Sequence, residues 1–424
     1  MHLALATAFA VCCASLLPSQ QATRHGADSK DRGLPQAPER IAPYHQDPAH
    51  RLNRIFRQLW MVRMAPAEVA AVLPDEGTPI EAGWVHKKRA GTAADTRWFG
   101  GDGRQLPLED LANDAVEELA GLLRGLGEDD RTTLSTPPEL AVLFQNDLLR
   151  AAERLRDLER QPQLVQLLVR AARFVALEAD QLTRLQNPIA AAVGDGDTRD
   201  QLGASLPTDL HGSATGFREV LRRSTRLFDA ERTLLWSRVY LAHPDGETAL
   251  AAMLPTPVRD GERAGRGPTV PIGFRAVLVQ GLIALGQDGK AHATPIVVDI
   301  RTQVLQNRDP LAATNATFTH DGLDFGIWQL ERQGLRSGRA AAIYRRVHPD
   351  DQDLFRDYGT AKHTTYRGQC SLCHRVSDTP EPNLAGFPVL RPHVQASFAT
   401  TGRERLLLAE TQAQKLFDAL LAER

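Results

Sequence analysis

Residues 274–305 read FRAVLVQGLIALGQDGKAHATPIVVDIRTQVL, and this stretch decides the fold class. Two runs rich in Val, Ile and Leu flank Gln287-Asp288-Gly289-Lys290, and Asp-Gly between apolar, β-branched runs signals a hairpin. In the second run Ile296, Val298 and Ile300 alternate with Val297, Asp299 and Arg301, which is the two-residue period of a strand. Outward from the hairpin, 234–240 reads as a strand leading to a Pro244-Asp245-Gly246 turn, and 323–330 as one more strand. Residues 217–348 are therefore expected to form an α+β or β-rich domain.

Toward the N-terminus the period changes. Leu52, Ile55, Phe56, Leu59 and Val62 recur at helical spacing after Asp47-Pro48, an N-cap followed by a first-turn proline. Leu108, Leu111, Ala115, Leu119, Leu122 and Leu126 mark a second helix. Thr136-Pro-Pro-Glu139 has the form of a capping box opening a long helix along Leu140, Phe144, Leu148, Ala151, Leu155 and Leu158. Pro162 interrupts it, and Leu164, Leu168, Ala171, Phe174 and Leu182 continue on a second helix that ends near Asn187-Pro188, so 136–188 reads as a helical hairpin. Charged positions on these helices read as their solvated faces. Residues 51–193 are expected to be a mainly helical domain, and 194–216, with its Gly, Asp and Ser, a linker.

The chain has 424 residues, more than one core usually holds, which predicts two or three domains. Hydrophobic residues at 42% and charged residues at 24% are ordinary for globular protein. The formal net charge is −2, and no block of like charge reads as a nucleic-acid tract. Residues 3–17, LALATAFAVCCASLL, form an apolar run of signal-peptide length, too short for a transmembrane helix. Residues 1–22 are thus expected to be a leader of an exported, periplasmic or envelope-associated protein, with 23–50 a flexible tether and no transmembrane span after the leader. Phe9-Ala10-Val11 before Cys12 fits a lipobox poorly, which argues against a lipoprotein.

Beyond Cys12 and Cys13 the only cysteines are Cys370 and Cys373, in Cys370-Ser-Leu-Cys373-His374. This is the C-x-x-C-H pattern of c-type haem attachment. Two thiols on one short turn reach the two vinyl groups of a porphyrin and form thioethers, and the adjacent imidazole is the proximal iron ligand. A haem is also a large apolar body that can supply a core to a segment too short to build its own. A zinc site drawn from Cys370, Cys373, His374 and His363 competes, but adjacent Cys and His ligands fit a compact tetrahedron poorly. A vicinal disulfide would close a loop too small to stabilise much.

Residues 350–424 resemble the class I cytochromes c. Tyr366 stands three residues before Cys370, Asp353-Leu-Phe-Arg-Asp-Tyr358 lies upstream, Pro382-Asn-Leu-Ala-Gly386 is similar to that family's P-x-L-x-G stretch, and Thr401-Gly-Arg-Glu404 opens a terminal helix. The resemblance implies a small all-α haem domain at 349–424, with Pro382 orienting the proximal His374. It also implies a distal methionine, which the chain lacks after Met253. His393 and, less favourably placed, His363 remain as distal ligands, together with an imported Met61, Met64 or His348, or an open sixth position. Bis-His ligation would lower the reduction potential relative to His/Met.

The expected whole is an α+β multi-domain protein: a mainly helical N-terminal domain, a strand-containing middle domain and a small all-α cytochrome c-like C-terminal module. Its expected role is electron transfer by one covalent haem c, as a carrier or accessory subunit with a redox partner protein. Two other roles stay open: a haem enzyme or sensor acting on peroxide or a diatomic gas at an open iron site, and a binding or scaffold protein with an appended haem or Cys/His metal module. The chain contains no P-loop, HExxH, G-x-S-x-G or suitably placed G-x-G-x-x-G motif.

Overall fold

A computed structural model describes residues 39, 41–64, 97–100, 113–193, 202–222, 234–254, 270–306, 319–320, 323–346, 396–399 and 403–422. They form an α+β structure in which helices lie against one eight-stranded antiparallel sheet, with a separate two-stranded pair.

Helix α1 spans Arg51–Trp60 and buries Leu52, Ile55, Phe56 and Leu59, the positions that the sequence period singles out. Its N-cap is His50, whose ring accepts from Leu52 N, so the start lies later than Asp47-Pro48. Val62 falls instead on strand β1, Met61–Met64, which pairs with β2, Arg97–Gly100. Helices α2 (Asn113–Arg124) and α3 (Glu128–Leu134) follow, and the core helix α4 covers Glu139–Asp157. The capping box expected at its start does not form. Pro138 is the N-cap and makes no side-chain bond, while Glu139 turns inward and accepts from Gln186 N at 3.0 Å.

Helix α5, Pro162–Phe174, packs antiparallel to α4 as the expected hairpin. The pattern read as one helix through Leu182 is broken after Phe174 and resumes as α6 (Ala179–Arg184) and α7 (Pro188–Val193). Residues 202–216 are not a free linker. Two 3-10 turns, Gly203–Ser205 and Thr208–Leu210, bury Leu202, Leu206 and Leu210. These leucines recur every four residues, an apolar period outweighed in the sequence reading by the surrounding Gly, Asp and Ser.

The sheet contains β3 (Arg218–Arg222), β4 (Leu235–Ala242), β5 (Arg275–Leu285), β6 (Ala291–Leu305), β7 (Thr319–His320), β8 (Leu323–Leu330), β9 (Tyr344–Arg346) and β10 (Ala396–Phe398). Its order is β10-β3-β4-β5-β6-β8-β7, with β9 also on β8. The β5–β6 hairpin and strand β8 lie where the alternation placed them. Gly289 supplies the positive φ of 77° in the hairpin turn, a conformation that costs other residues more. After Gly246 the chain forms a short helix, α8 (Glu247–Met253), and after β8 another, α9 (Arg332–Arg336).

One face of the sheet carries Trp236, Val277, Val279, Ile300 and Trp328 into the main core with α4, α5 and the terminal helix α10, Glu404–Ala422. Trp236 lies over Gly281, its cross-strand partner, and donates its indole N–H to Thr294 O at 2.8 Å. Helix α10 buries Ala409, Ala413, Leu416, Phe417 and Leu420 in this core. Glu410 and Gln414 accept from Ala293 N and Ala291 N at 2.8 Å each, capping the edge of β6 beyond its pairing with β8. The helix that the sequence reading assigns to the 349–424 module thus gives its apolar side to the sheet.

A Cβ at position 281 would lie 2.1 Å from the Trp236 ring. Gly281→Val is expected to cost about 2–3 kcal/mol through overpacking, read as a lower urea midpoint. An unchanged midpoint would contradict this contact.

Candidate functional site

The middle of α4 carries three consecutive polar residues, Gln145, Asn146 and Asp147, all buried. The sequence reading put charged positions of these helices on solvated faces, and for Asp147 that is wrong: α4 is enclosed on several sides, so successive residues meet different protein surfaces. Gln145 donates to Leu285 O at 2.8 Å and Ala172 O at 3.1 Å and accepts from Leu285 N at 2.8 Å. It satisfies the end of β5 and the end of α5 with one amide. Asn146 donates to Leu234 O at 3.4 Å.

Asp147 is the centre of an ionic cluster drawn from three distant parts of the chain. Arg332 Nη2 donates to its Oδ1 at 2.7 Å, Tyr44 donates its hydroxyl to Oδ2, and Arg332 Nε donates to the Tyr44 oxygen at 3.0 Å. Exposures are 0%, 0% and 3% for Tyr44, Asp147 and Arg332. Burial pushes the Asp147 carboxyl up, and Arg332, the Tyr44 hydroxyl and Arg150 pull it back down. Burial first, and Asp147 behind it, keeps Tyr44 protonated well above its usual range, against the pull of Arg332.

The opposite face of the sheet differs. Register places Ser237, Gln280, Asp299, Gln329 and Arg345 directly opposite one another on β4, β5, β6, β8 and β9. Directly paired residues point to the same side, so these five make one polar row across five strands. Gln280 Nε2 donates to Ser237 Oγ at 3.0 Å, Arg301 Nε to Asp299 Oδ2 at 2.8 Å, and Arg345 Nη2 to Gln329 Oε1 at 2.6 Å. Arg345 also pairs with Glu331 at 2.8 Å. Gln280, Asp299 and Gln329 are 5%, 2% and 0% exposed. Two neighbouring atoms in the row, Asp299 Oδ1 and Gln329 Nε2, are buried with no hydrogen-bond partner.

The sequence-predicted haem residues Cys370, Cys373, His374, Pro382, His393 and His363 all lie outside the described residues, as does His348. Met61, named as an imported ligand, is buried in the core at the end of α1. Among the described residues no group of three or more His, Cys, Asp and Glu is arranged to hold a metal ion. Sequence reasoning missed both polar constellations. Asp299 was legible only as a break in an apolar alternation, and Tyr44, Asp147 and Arg332 are separated by 103 and 185 positions. No known protein family matches the chain, and neither a curated protein nor a solved structure does.

Arg332→Met alone is expected to cost about 3–5 kcal/mol by leaving Asp147 buried without its cation, and adding Asp147→Leu should restore much of that loss. Urea denaturation of the single and double variants checks it; a double variant no more stable than the single would refute the charge argument. Tyr344 donates to Val297 O at 2.8 Å, and burial raises it well above the usual 10.0. Above that pH the unfolded chain releases this proton and the folded chain keeps it, so stability present at lower pH is lost as pH rises. Each such tyrosine contributes a fall of about 1.4 kcal/mol per pH unit. Tyr344→Phe should give a shallower alkaline decline, measured by urea midpoints between about pH 9 and 11.5.

Proposed function

We propose that the protein is an exported electron-transfer protein carrying one covalent haem c on Cys370 and Cys373, with His374 as the proximal iron ligand. The observation that carries this is Cys370-Ser-Leu-Cys373-His374 itself, holding the only cysteines after Cys13. The donor set suits the group: two thiols at the spacing of thioether attachment and an imidazole next to them. Bound there, haem supplies one-electron redox chemistry at iron. The two sulfurs would fix the macrocycle against loss, the imidazole would serve as the iron ligand, and Pro382 would hold that imidazole in orientation. The apolar run at 3–17 supports export. Among the described residues no helix is long and apolar enough to cross a membrane. Because α10 gives its apolar side to the sheet, the reading rests on the motif and the Pro382 stretch rather than on a terminal helix reserved for haem.

One observation favours a second reading. The chain has no methionine after Met253, and without His393 or His363 at the sixth position the iron would be open to peroxide or a diatomic gas. The experiment is expression in a periplasm with a c-type maturation system, followed by haem staining of a denaturing gel and a pyridine haemochrome spectrum. One haem per chain, abolished by Cys370→Ser with Cys373→Ser, is expected. Colourless mature protein with both thiols free would end the proposal. Carbon monoxide separates the two roles: an inert low-spin spectrum fits electron transfer, and ready binding fits the open-site reading.

A further inference from the structure

Residues 41–50 lie in front of α1 and are fastened to it by side chains of that helix. Tyr44 carries its ring into the core against Phe56 and Phe144 and its hydroxyl to Asp147 and Arg332. Asn53 accepts from Tyr44 N at 2.9 Å and donates to Asp47 O at 2.7 Å, while Arg57 donates to Pro48 O at 2.7 Å.

Two further bonds close this stretch, and each uses a histidine where Asn, Asp or Ser ordinarily serves. His45 Nδ1 accepts from Asp47 N at 3.0 Å, and His50 Nδ1 accepts from Leu52 N at 3.3 Å, which caps α1. A backbone N–H can only donate, so in each ring the lone pair stands on Nδ1 and the proton on Nε2. The rings are stacked, with centroids 4.0 Å apart and planes 23° from parallel. An imidazolium carries N–H on both nitrogens and accepts nothing. Protonating either ring therefore sets two donors against each other, and protonating both sets two cations face to face.

Among the described residues, the charged groups around this pair are Asp47 on the same stretch, Arg51 on α1 and Asp130 on α3. Farther along α1, Arg54 pairs with Glu118 of α2 at 2.7 Å. Asp130 lies 3.9 Å from His50 Nε2, but it is already engaged by Arg51 at 2.8 Å and by Gly127 N at 3.0 Å. Burial, and then His45, lowers His50 below its usual 6.5, with Asp130 and Asp47 pulling it up and Arg51 pulling it down. His50 is half-buried and borders a surface cavity of about 520 Å³, edged also by Glu128 and Asp129, which brings water to the ring.

We propose that His45 and His50 form an acid-sensitive clasp on the N-terminal stretch: neutral, they hold the amides of Asp47 and Leu52 and keep Tyr44 seated; protonated, they release both amides and repel each other. The unfolded chain takes up the His50 proton more readily than the folded one, so the contribution of the clasp is present above the unfolded value of 6.5 and is lost as pH falls below it. Acidification thus opens residues 41–50 more often and uncovers the slot of Tyr44 beside Asp147 and Arg332. Both rings lie in the described body, and the clasp works whether or not a macrocycle is attached at 370–374.

The test is hydrogen–deuterium exchange of the full-length protein at about pH 7.5 and about pH 5, on either side of the ordinary histidine range. Rates are divided by the intrinsic rate at each pH, and a peptide covering 44–53 is compared with one from β5. Protection of 44–53 should fall about tenfold on acidification, the scale on which a lost N-cap acts, while that of β5 holds. Asn accepts from the amide two residues on and does not titrate, so His45→Asn with His50→Asn should keep the protection and abolish its fall. Equal protection of 44–53 at the two pH values, an equal fall in β5, or a fall that persists in the double variant would overturn the clasp. If the double variant does not fold, His50→Asn alone serves: it keeps the cap and removes one charge, so the fall should be smaller than in the parent, and an undiminished fall would overturn the clasp equally.

Discussion

The structure depends on how α4 is enclosed. A helix buried on several sides must satisfy every polar side chain it carries, since an unpaired buried group costs about 1–3 kcal/mol. Gln145, Asn146 and Asp147 point successively to the β5 end, the β4 start and the Tyr44–Arg332 pair. Three consecutive residues thereby tie the helical layer to the sheet and to the N-terminal stretch. Hydrophobic burial brings these layers together without direction. Directional bonds to Leu285, Ala172 and Leu234 fix where along the helix each layer sits. The Asp147–Arg332 pair contributes less to net stability than to this placement, because both ions lose their hydration.

The sheet solves two other problems in the same manner. Strand β6 runs past its pairing with β8, and the exposed amides of Ala291 and Ala293 are taken by side chains of α10. At the centre, Gly281 leaves room for Trp236, whose indole then caps Thr294 O. The two faces are thus unlike in chemistry. One is a core of Trp, Val, Ile and Leu, and the other carries a row of Ser, Gln, Asp and Arg.

Electron transfer at a covalently held haem asks for a rigid support and a cofactor that cannot dissociate. The described body has a continuous core, which spans residues from Ile41 to Leu420, and on the proposed reading that core would be the first. The motif at 370–374 is proposed to supply the second. The two polar constellations of the body are of another kind: Tyr44, Asp147 and Arg332 bond one another, and among the described residues no group of three or more His, Cys, Asp and Glu is arranged to hold a metal ion.

The sequence by itself determined the local elements: the β5–β6 hairpin from Asp288-Gly289 between alternating runs, strand β8, helix α1 from its apolar period, and the α4–α5 pair divided at Pro162. It also holds the C-x-x-C-H pattern complete, because that chemistry is written in five adjacent residues. Only tertiary structure decided which polar residues are buried, that Leu202, Leu206 and Leu210 belong to the core, and that α10 packs on the sheet. Periodicity reports which side of an element is apolar; it does not report how many sides are covered or by what. Tyr44, Asp147 and Arg332 become one cluster through contacts across the chain, and no local pattern encodes a contact between residues so far apart.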